Sequence, residues 1–286
     1  MKRLKEIINE LKISSNIQHK DAEKLIREFI FYSPKMPLRL HQEQLLASSN
    51  QFTLKVPDTY FTGAELLINC FSWGNGKNKI LLTHGWASKG ADFFELITEL
   101  QKIEDVEIIA FDAPGNGSSV SEFSNLMLYA ESVKSISVNY AMPDFLIGHS
   151  LGGMANVIAV QEAAIRPKYL ISIAPLIRLK ENFGQSMDSV NVSPSAQENF
   201  FKNFSSEFPV DADYFNLTEL YNLNRNVNHF LAYDEEDHIS PFPYLAEFLA
   251  KNIDINAKAY EGAGHYKILK SPEVIDDIIK IIKSSL

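Results

Sequence analysis

The stretch Asp144-Phe-Leu-Ile-Gly-His-Ser-Leu-Gly-Gly153 decides the fold that this sequence predicts. Residues 144–147 have the apolar character of a buried strand, and an apolar helical segment begins near residue 151. Between them lies Gly148-His-Ser-Leu-Gly152, which matches the pattern G-x-S-x-G once in the sequence. A tight strand-to-helix turn of this kind lifts the serine hydroxyl clear of a sheet in a strained conformation. Ser150 is therefore the predicted nucleophile, the alternative being a glycine-rich turn with an incidental serine.

Apolar strands alternate with helical segments on both sides of this motif. An antiparallel pair at 52–56 and 64–71 is predicted to precede a Gly-Asn-Gly turn at 74–76. Apolar strands divided by helices are typical of a parallel sheet that helices cover on both faces. The sequence therefore predicts an α/β fold with a mostly parallel, eight-stranded sheet. The other strands are predicted at 80–83, 106–111, 144–147, 169–173, 227–233 and 256–260, and the helices near 91–102, 122–138, 151–165 and 242–251 and from residue 272.

The chain is predicted to have three parts. Residues 1–51 form an N-terminal helical extension, because apolar residues recur at helical spacing until the pattern ends at Pro37. The α/β core comprises residues 52–175 and 225–286. Residues 176–224 interrupt the alternation and show no obvious strand, which predicts a small helical cap or lid insertion. The extension either packs on the body or joins two subunits, and packing is the favoured role.

Composition and charge argue against several classes of function. The net charge of −9 argues against a nucleic-acid partner, which requires a basic face. The single cysteine, Cys70, permits no intrachain disulfide, and we expect a core residue there rather than a reactive thiol. No apolar run approaches the length of a membrane span and no signal-peptide pattern is present, so a cytoplasmic protein is expected. We expect a small-molecule substrate and neither metal nor cofactor; the choice between monomer and homodimer stays open.

A serine hydroxyl needs a base to take its proton, and the base must itself be oriented. In this kind of fold the acid and then the histidine follow the serine along the chain. His265 lies in the loop Gly262-Ala-Gly-His265 after the last strand and is the predicted base, in preference to His238. His229 lies inside the preceding strand and is expected to be a core residue.

The orienting acid is expected in the loop Asp234-Glu-Glu-Asp237-His-Ile-Ser-Pro241, which offers four carboxylates. Asp237 is the predicted acid, because it stands in the turn just before the chain restarts at the proline. Asp234 is the alternative, since it lies only just past the strand. The unused carboxylates are expected to be solvated loop charges.

Two backbone N–H groups are expected to bind the oxyanion that forms during attack. Leu151, directly after the nucleophile, supplies the first. Trp86 supplies the second, from the loop His84-Gly-Trp86 that follows the strand 80–83, and Gly85 lets the backbone approach the substrate closely. His84 could be read as a second base, but its position beside this loop favours a bracing role.

Five motifs of the sequence resemble those of the α/β-hydrolase family and occur in the family's order. More narrowly, they resemble those of its bacterial branch of small esterases and carbon–carbon bond hydrolases. The resemblance covers residues 52–286 and implies Ser150 as nucleophile, His265 as base and Asp237 as acid, with Leu151 and Trp86 as oxyanion donors and 176–224 as cap. The motifs are His84-Gly-Trp86, Asp112-Ala-Pro-Gly-Asn-Gly-Ser118, Gly148–Gly153, Asp237-His-Ile-Ser-Pro241 and Gly262-Ala-Gly-His265.

The chain departs from the family's pattern at one loop and lacks a signature in another segment. Asn116 stands where many relatives carry histidine, and the cap has no motif that points to a subfamily. Haloalkane dehalogenases and epoxide hydrolases carry aspartate at the nucleophile position, so Ser150 excludes those relatives.

Together these features predict a serine hydrolase, a carboxylic ester hydrolase of the carboxylesterase type that cleaves small apolar ester or related acyl substrates through an acyl-enzyme. The same triad would also serve an acyltransferase, a carbon–carbon bond hydrolase or a thioester hydrolase, and a catalytically silent ligand-binding protein could share the fold. The aromatic residues of the cap would favour an apolar group of the substrate, unless they form the cap's own core. These residues are Phe183, Phe200, Phe201, Phe204, Phe208, Tyr214, Phe215 and Tyr221.

Overall fold

One mixed sheet holds eight strands among the residues that the computed structural model describes, which are 2–13, 19–163, 165–223 and 227–286. The strands are β1 Asn50–Pro57, β2 Glu65–Gly74, β3 Asn78–Thr83, β4 Val106–Asp112, β5 Phe145–His149, β6 Tyr169–Ile173, β7 Asn228–Tyr233 and β8 Asn256–Ala259. They lie in the order β1-β2-β4-β3-β5-β6-β7-β8. β3 to β8 run parallel, and β2 is antiparallel to both β1 and β4. The predicted mostly parallel, eight-stranded sheet is confirmed.

Helices cover both faces of the sheet, as predicted. Helices α5, α6 and α10 pack on one face, and α3, α4 and α12 pack on the other, each with its own set of buried apolar residues. In the described ranges the helices are α1 Lys2–Ile13, α2 His19–Phe31, α3 Leu40–Ala47, α4 Phe94–Leu100, α5 Leu126–Asn139, α6 Leu151–Glu162, α7 Leu179–Ser189, α8 Pro194–Glu207, α9 Leu217–Leu220, α10 Phe242–Lys251, α11 Gly264–Lys267 and α12 Pro272–Ser285.

The sequence of the central strand β5 is apolar throughout rather than alternating, because helices cover both faces of the sheet there. Successive side chains of a strand point to opposite faces, so a strand covered on both sides needs apolar residues at every position. Leu146 packs with the helices of one face, whereas Phe145 and Ile147 pack with those of the other. All three side chains are completely buried, which places the end of β5, and the serine after it, at a fixed point of the core.

Two helices differ from the predictions. The helical pattern was expected to end at Pro37, yet α3 follows it, because Leu45 and Leu46 bury against Trp73 and the Leu45 carbonyl accepts a hydrogen bond from the Trp73 indole at 3.1 Å. Helix α5 begins at residue 126 rather than 122. Its N-cap is Asn125, whose side-chain oxygen accepts the Leu128 amide hydrogen at 2.8 Å.

The extension and the segment predicted as a cap meet each other above the sheet. Helix α2 packs against α7 and α8, and Arg27 forms an ion pair with Glu207 at 3.0 Å. The division at 51/52, 175/176 and 224/225 stays a prediction, and residues 224 and 225 lie outside the described residues. Within the described ranges, no helix combines the length and the apolar character needed to cross a membrane.

Cys70 is a core residue, as predicted. Its side chain is completely buried on β2, among residues that pack beneath α5 and α6. Burial raises the pKa of the Cys70 thiol to about 12, so the reactive thiolate is suppressed at neutral pH.

Candidate active site

Ser150 occupies the sharp turn between β5 and α6. Its backbone has φ +54° and ψ −121°, a conformation that L residues rarely adopt and that costs roughly 1–3 kcal/mol. The surrounding backbone holds it there. The Ser150 amide donates to the Ile173 carbonyl at 3.0 Å, and the Ser150 carbonyl accepts from the Leu176 amide at 3.1 Å. The turn is thus tied on both sides to β6 and to the chain that leaves it.

Two glycines make this turn possible by leaving room for neighbouring backbone. A Cβ atom at Gly152 would lie 2.2 Å from the Thr83 carbonyl oxygen, and one at Gly148 would lie 2.6 Å from the Gly152 carbonyl oxygen. Both distances are far inside van der Waals contact. The G-x-S-x-G spacing therefore reflects close packing of α6 against β3 and β5.

His265 lies within hydrogen-bonding distance of both Ser150 and Asp237. Its Nε2 is 2.9 Å from Ser150 Oγ, and its Nδ1 is 2.6 Å from Asp237 Oδ2. An ionised carboxylate only accepts, so Nδ1 carries the hydrogen and Nε2 is free to accept from the serine hydroxyl. All three residues are more than 90% buried. The structure thus brings together the three residues that the sequence predicted as nucleophile, base and acid.

Asp237 is held as a carboxylate by groups on three sides. Burial opposes its ionisation, but hydrogen bonds from His265 and from the amides of Ser240 and Ile239 outweigh it and keep the pKa of the Asp237 carboxyl below its usual range. The two amides donate to Oδ1 at 3.0 and 2.8 Å, which leaves Oδ2 for the imidazole. An ionised Asp237 holds the His265 ring in the orientation that acid–base chemistry requires.

Asp234, the alternative acid, has a different position. Its Oδ2 accepts the Gly264 amide hydrogen at 2.7 Å and its Oδ1 accepts that of Glu236 at 2.9 Å. Asp234 therefore links the loop after β7 to Gly264 at the start of α11, one residue ahead of His265. The expectation of a solvated charge is wrong here, since the side chain is buried.

His229 and His238, the other two histidines that follow Ser150 in the chain, do not take part in the hydrogen bonds between Ser150, His265 and Asp237. His238 lines the cavity next to the site, whereas His229 is buried inside β7, as expected of a core residue. Its ring nitrogens contact Ser172 Oγ and Tyr221 Oη, each at 2.9 Å. Burial lowers the pKa of His229 to about 3, so the ring stays neutral.

The loop that carries Trp86 is braced from behind, at the Gly85 carbonyl. This oxygen accepts hydrogen bonds from His84 Nδ1 at 2.7 Å and from the Tyr129 hydroxyl at 2.9 Å. His84 has its other nitrogen, Nε2, 3.0 Å from the Ala113 amide that donates to it. Because the carbonyl and the N–H of one trans peptide point in opposite directions, these contacts fix the Trp86 N–H away from Tyr129. His84 has the bracing position that its sequence context favoured.

Gly85 and Leu151 flank the serine. A Cβ atom at Gly85 would lie only 3.1 Å from Ser150 Cβ, so the loop passes directly over the nucleophile. Leu151 is the first residue of α6, where N–H groups have no partner within the helix and favour negative charge. Leu151 thus follows Ser150 directly, and Trp86 follows the glycine that approaches it and lines the same cavity.

Tyr129 and His149 are two residues of the site that sequence reasoning missed. His149 Nε2 donates to the His265 carbonyl at 2.8 Å, which ties the end of β5 to the backbone of the predicted base. Burial, and then the neighbouring His265, lower the pKa of His149 to about 3, so no second charge forms beside the base. Neither residue has a local sequence signal, because each acts through a partner distant along the chain.

A cavity of about 860 Å³ opens onto the serine. Ser150 and His265 line its floor, and apolar residues of the extension and of α7 line much of its wall, among them Phe31, Leu179 and Phe183. Of the cap aromatics singled out in the sequence, Phe183 faces this cavity, whereas Phe200 is buried among the other rings of α8. The cavity has the size and character of a site for a small apolar molecule.

Sequence comparison identifies relatives among hydrolases. Residues 74–268, more than half of the chain, match the model of the family described as serine aminopeptidase, S33. "Putative esterase/lipase 2" of Mycoplasma genitalium is 23% identical over 236 residues, which cover 71% of this chain and 88% of that protein. Monoglyceride lipase of Rattus norvegicus is 29% identical over 119 residues, which cover 38% of this chain and 39% of that protein.

Solved structures share the fold at low sequence identity. An esterase of Pyrococcus furiosus superposes with a TM-score of 0.60 at 17% identity, covering 88% of this chain and 96% of that chain. A thermophilic esterase of Thermogutta terrifontis gives a TM-score of 0.59 at 17% identity, covering 82% and 98%. Since the family match spans most of the sheet and every predicted site residue, the chain belongs to the serine aminopeptidase S33 family of α/β hydrolases.

Proposed function

We propose that this protein is a serine hydrolase that cleaves carboxylic esters, with Ser150 as nucleophile, His265 as general base and acid, and Asp237 as the orienting acid. One observation carries the proposal. An unbroken series of hydrogen bonds, 2.9 Å and then 2.6 Å long, runs from the serine hydroxyl through the imidazole to the carboxylate. The serine end of the series faces the cavity, where a substrate carbonyl has access to it.

In this mechanism Ser150 Oγ attacks the ester carbonyl carbon while its proton passes to His265 Nε2. The imidazolium that forms is stabilised by Asp237. The tetrahedral intermediate then collapses, and the alcohol leaves with the proton from Nε2. Water repeats the sequence on the acyl-enzyme, giving up a proton to the same nitrogen and releasing the carboxylic acid.

The amides of Trp86 and Leu151 are proposed to bind the oxyanion of each tetrahedral intermediate. Support comes from the Gly85 carbonyl, which His84 and Tyr129 hold in place, because its peptide then presents a fixed N–H. A donor that is already oriented costs no reorganisation when charge develops, and loss of one such donor typically costs on the order of a hundredfold or more in rate.

Esters are favoured over peptides with a free amino terminus by the charges of the cavity. Among the described residues that line it, Asp92 is the one carboxylate, and it already binds Lys89, Ser88 and Gln42. A substrate ammonium would therefore meet no unengaged carboxylate there, whereas an apolar ester finds apolar walls. The names of the two relatives, an esterase/lipase and a monoglyceride lipase, agree with this choice.

The test is covalent labelling of the purified protein with a fluorophosphonate probe, together with hydrolysis of p-nitrophenyl butyrate. Wild type should be labelled on Ser150 and should hydrolyse the ester, and Ser150→Ala should lose both properties. Ser284→Ala, at an exposed residue of α12, is the matched control and should keep both. Hydrolysis at the wild-type rate by Ser150→Ala would refute the proposal.

A further inference from the structure

The N-terminal extension supplies one wall of the cavity above Ser150, although it precedes the residues that the family model matches. The lining runs from Phe29 at the end of α2 to Arg39 at the start of α3. Across the cavity, Leu179 and Phe183 of α7 form part of the opposite wall. The space above the nucleophile is therefore bounded by a segment that lies outside the matched part of the fold.

Buried hydrogen bonds hold this wall in place. The Phe31 carbonyl accepts the Ser124 amide hydrogen at 2.9 Å, and the Ser33 hydroxyl donates to Asn116 Oδ1 at 2.5 Å. Asn116 is 1% exposed, so this hydrogen bond is shielded from water. Phe31 therefore has a fixed backbone, set by the loop between β4 and α5.

A second cavity, of about 190 Å³, lies between the extension and helices α7 and α8. We call it the cap chamber. Its one carboxylate among the described lining residues, Glu162, is paired with Lys134, and the other lining side chains are mostly apolar. Residues that line the cap chamber and not the larger cavity include Tyr60, Met127, Phe204, Phe208, Val210 and Phe215.

The two cavities are neighbours that share part of their lining, namely Phe31, Asn125, Leu126, Leu179 and Phe183. Phe31 is 2% exposed and meets rings on both sides. Its ring centroid is 6.2 Å from that of Phe183, at an angle of 84°, and 5.6 Å from that of Phe208. One aromatic ring from the extension thus stands at the boundary between the cavity at Ser150 and the cap chamber.

We propose that Phe31 is a specificity-determining residue, which controls how far a linear acyl chain reaches from Ser150 into the cap chamber. This inference rests on the proposed esterase function. The acyl carbonyl lies at Ser150, the first methylenes contact Leu179 and Phe183, and the distal methylenes enter the chamber past Phe31. The substrate class is accordingly an ester of an unbranched fatty acid of medium length, because a chain that ends before the boundary leaves the chamber unused.

Two substitutions test the proposal through the ratio of kcat/KM for p-nitrophenyl decanoate to that for p-nitrophenyl butyrate. Val210→Trp places a large side chain in the chamber, on the side away from the serine. Since each buried methylene contributes roughly a fourfold preference, this variant should lower the ratio about tenfold or more. Phe31→Leu widens the boundary and should raise the ratio about threefold. Val138→Trp, on the exposed face of α5, is the matched control and should leave the ratio unchanged.

The outcomes separate this inference from the function on which it rests. If wild type is labelled by the fluorophosphonate and hydrolyses esters, but the ratio is the same in wild type, Val210→Trp and Phe31→Leu, the role of Phe31 is overturned and the esterase function stands. If wild type hydrolyses no ester and is not labelled, both fall. Should Phe31→Leu fail to fold, as its circular dichroism would reveal, the ratio in Val210→Trp decides the question.

Discussion

The edge of the sheet and the helical roof above it build the site in different ways. At the edge, where β5, β7 and β8 end, backbone hydrogen bonds fix the Asp237 side chain, through two amides, and the main chain of Ser150, through the Ile173 carbonyl. The roof, which we define as α1, α2 and α7–α9, is held largely by contacts between apolar side chains, many of them aromatic. The rings of Phe31 in α2 and Phe183 in α7, for example, lie 6.2 Å apart between centroids.

This contrast indicates which properties can change independently. Backbone hydrogen bonds are directional, so a side chain held by them has one position and the chemistry depends on it. Packing between apolar rings is less directional and tolerates replacement by residues of similar volume. We therefore expect substitutions at the edge to change kcat and those in the roof to change which acyl chain is accepted.

The largest effect should come from Asp237→Asn. The amide side chain favours the wrong tautomer of His265, and in a Ser-His-Asp triad such a change lowers kcat about 10⁴-fold. KM should change little, because the roof still holds the substrate. Steady-state kinetics with p-nitrophenyl butyrate measures both parameters.

Asp234→Asn is the matched control, since it alters a buried carboxylate of the same loop that contacts the Gly264 amide and not the imidazole. Its kcat should fall no more than about tenfold. If kcat fell equally in both variants, Asp237 would have no role in orienting His265 beyond the support that Asp234 also gives to the loop.

A second test concerns the pH dependence of stability at His229, inside the sheet. Burial lowers the pKa of His229 to about 3, whereas an unfolded histidine titrates near 6.5. Because its pKa is lower in the folded protein, neutral His229 makes its whole contribution to the free energy of unfolding above about pH 6.5. That contribution is lost as the pH falls towards 3. Between pH 7 and pH 5 this residue should lower the free energy of unfolding by about 2 kcal/mol.

Urea denaturation at the two pH values measures this loss. His229→Gln should show a smaller decrease than wild type, whereas His238→Gln, at an exposed residue outside the sheet, should decrease as wild type does. If the free energy of unfolding fell by the same amount in all three proteins, His229 would not be the cause of the decrease.

The smallest effect is expected from Tyr129→Phe, which removes one of two donors to the Gly85 carbonyl and leaves the packing intact. The peptide before Trp86 becomes less firmly held, so kcat should fall about tenfold with KM nearly unchanged. Tyr140→Phe is the control, because that hydroxyl contacts Glu107 at the far end of β4. A rise in KM without a change in kcat would mean that Tyr129 affects substrate binding, as the roof does, rather than the chemical step.

The parts of the fold that could be predicted are those with a local signal. Buried strands such as β5 are continuous apolar runs, and the turn at Ser150 has its own glycine spacing, so strand positions agree to within a few residues. His265 and Asp237 follow from chain order and from the turns in which they lie. The structure brings them to Ser150, and their roles stay predictions until labelling and kinetics test them.

The parts that could not be predicted depend on contacts between distant segments. Tyr129 meets the Gly85 carbonyl 44 residues away, and His149 meets the His265 carbonyl 116 residues away. Helix α3 has too few apolar positions for a periodic signal, and its place is decided by Trp73. The acyl-chain boundary at Phe31 likewise exists only once the extension lies over the sheet.

The hydrogen bond between Ser33 and Asn116 has a consequence for attempts to recombine this protein with its relatives. The two residues are 83 positions apart in the chain, and the buried Ser33 hydroxyl donates to the Asn116 side chain. A chimera that takes the N-terminal extension from this chain but lacks Asn116 would leave the Ser33 hydroxyl without this acceptor. The N-terminal extension and the loop between β4 and α5 should therefore be transferred together.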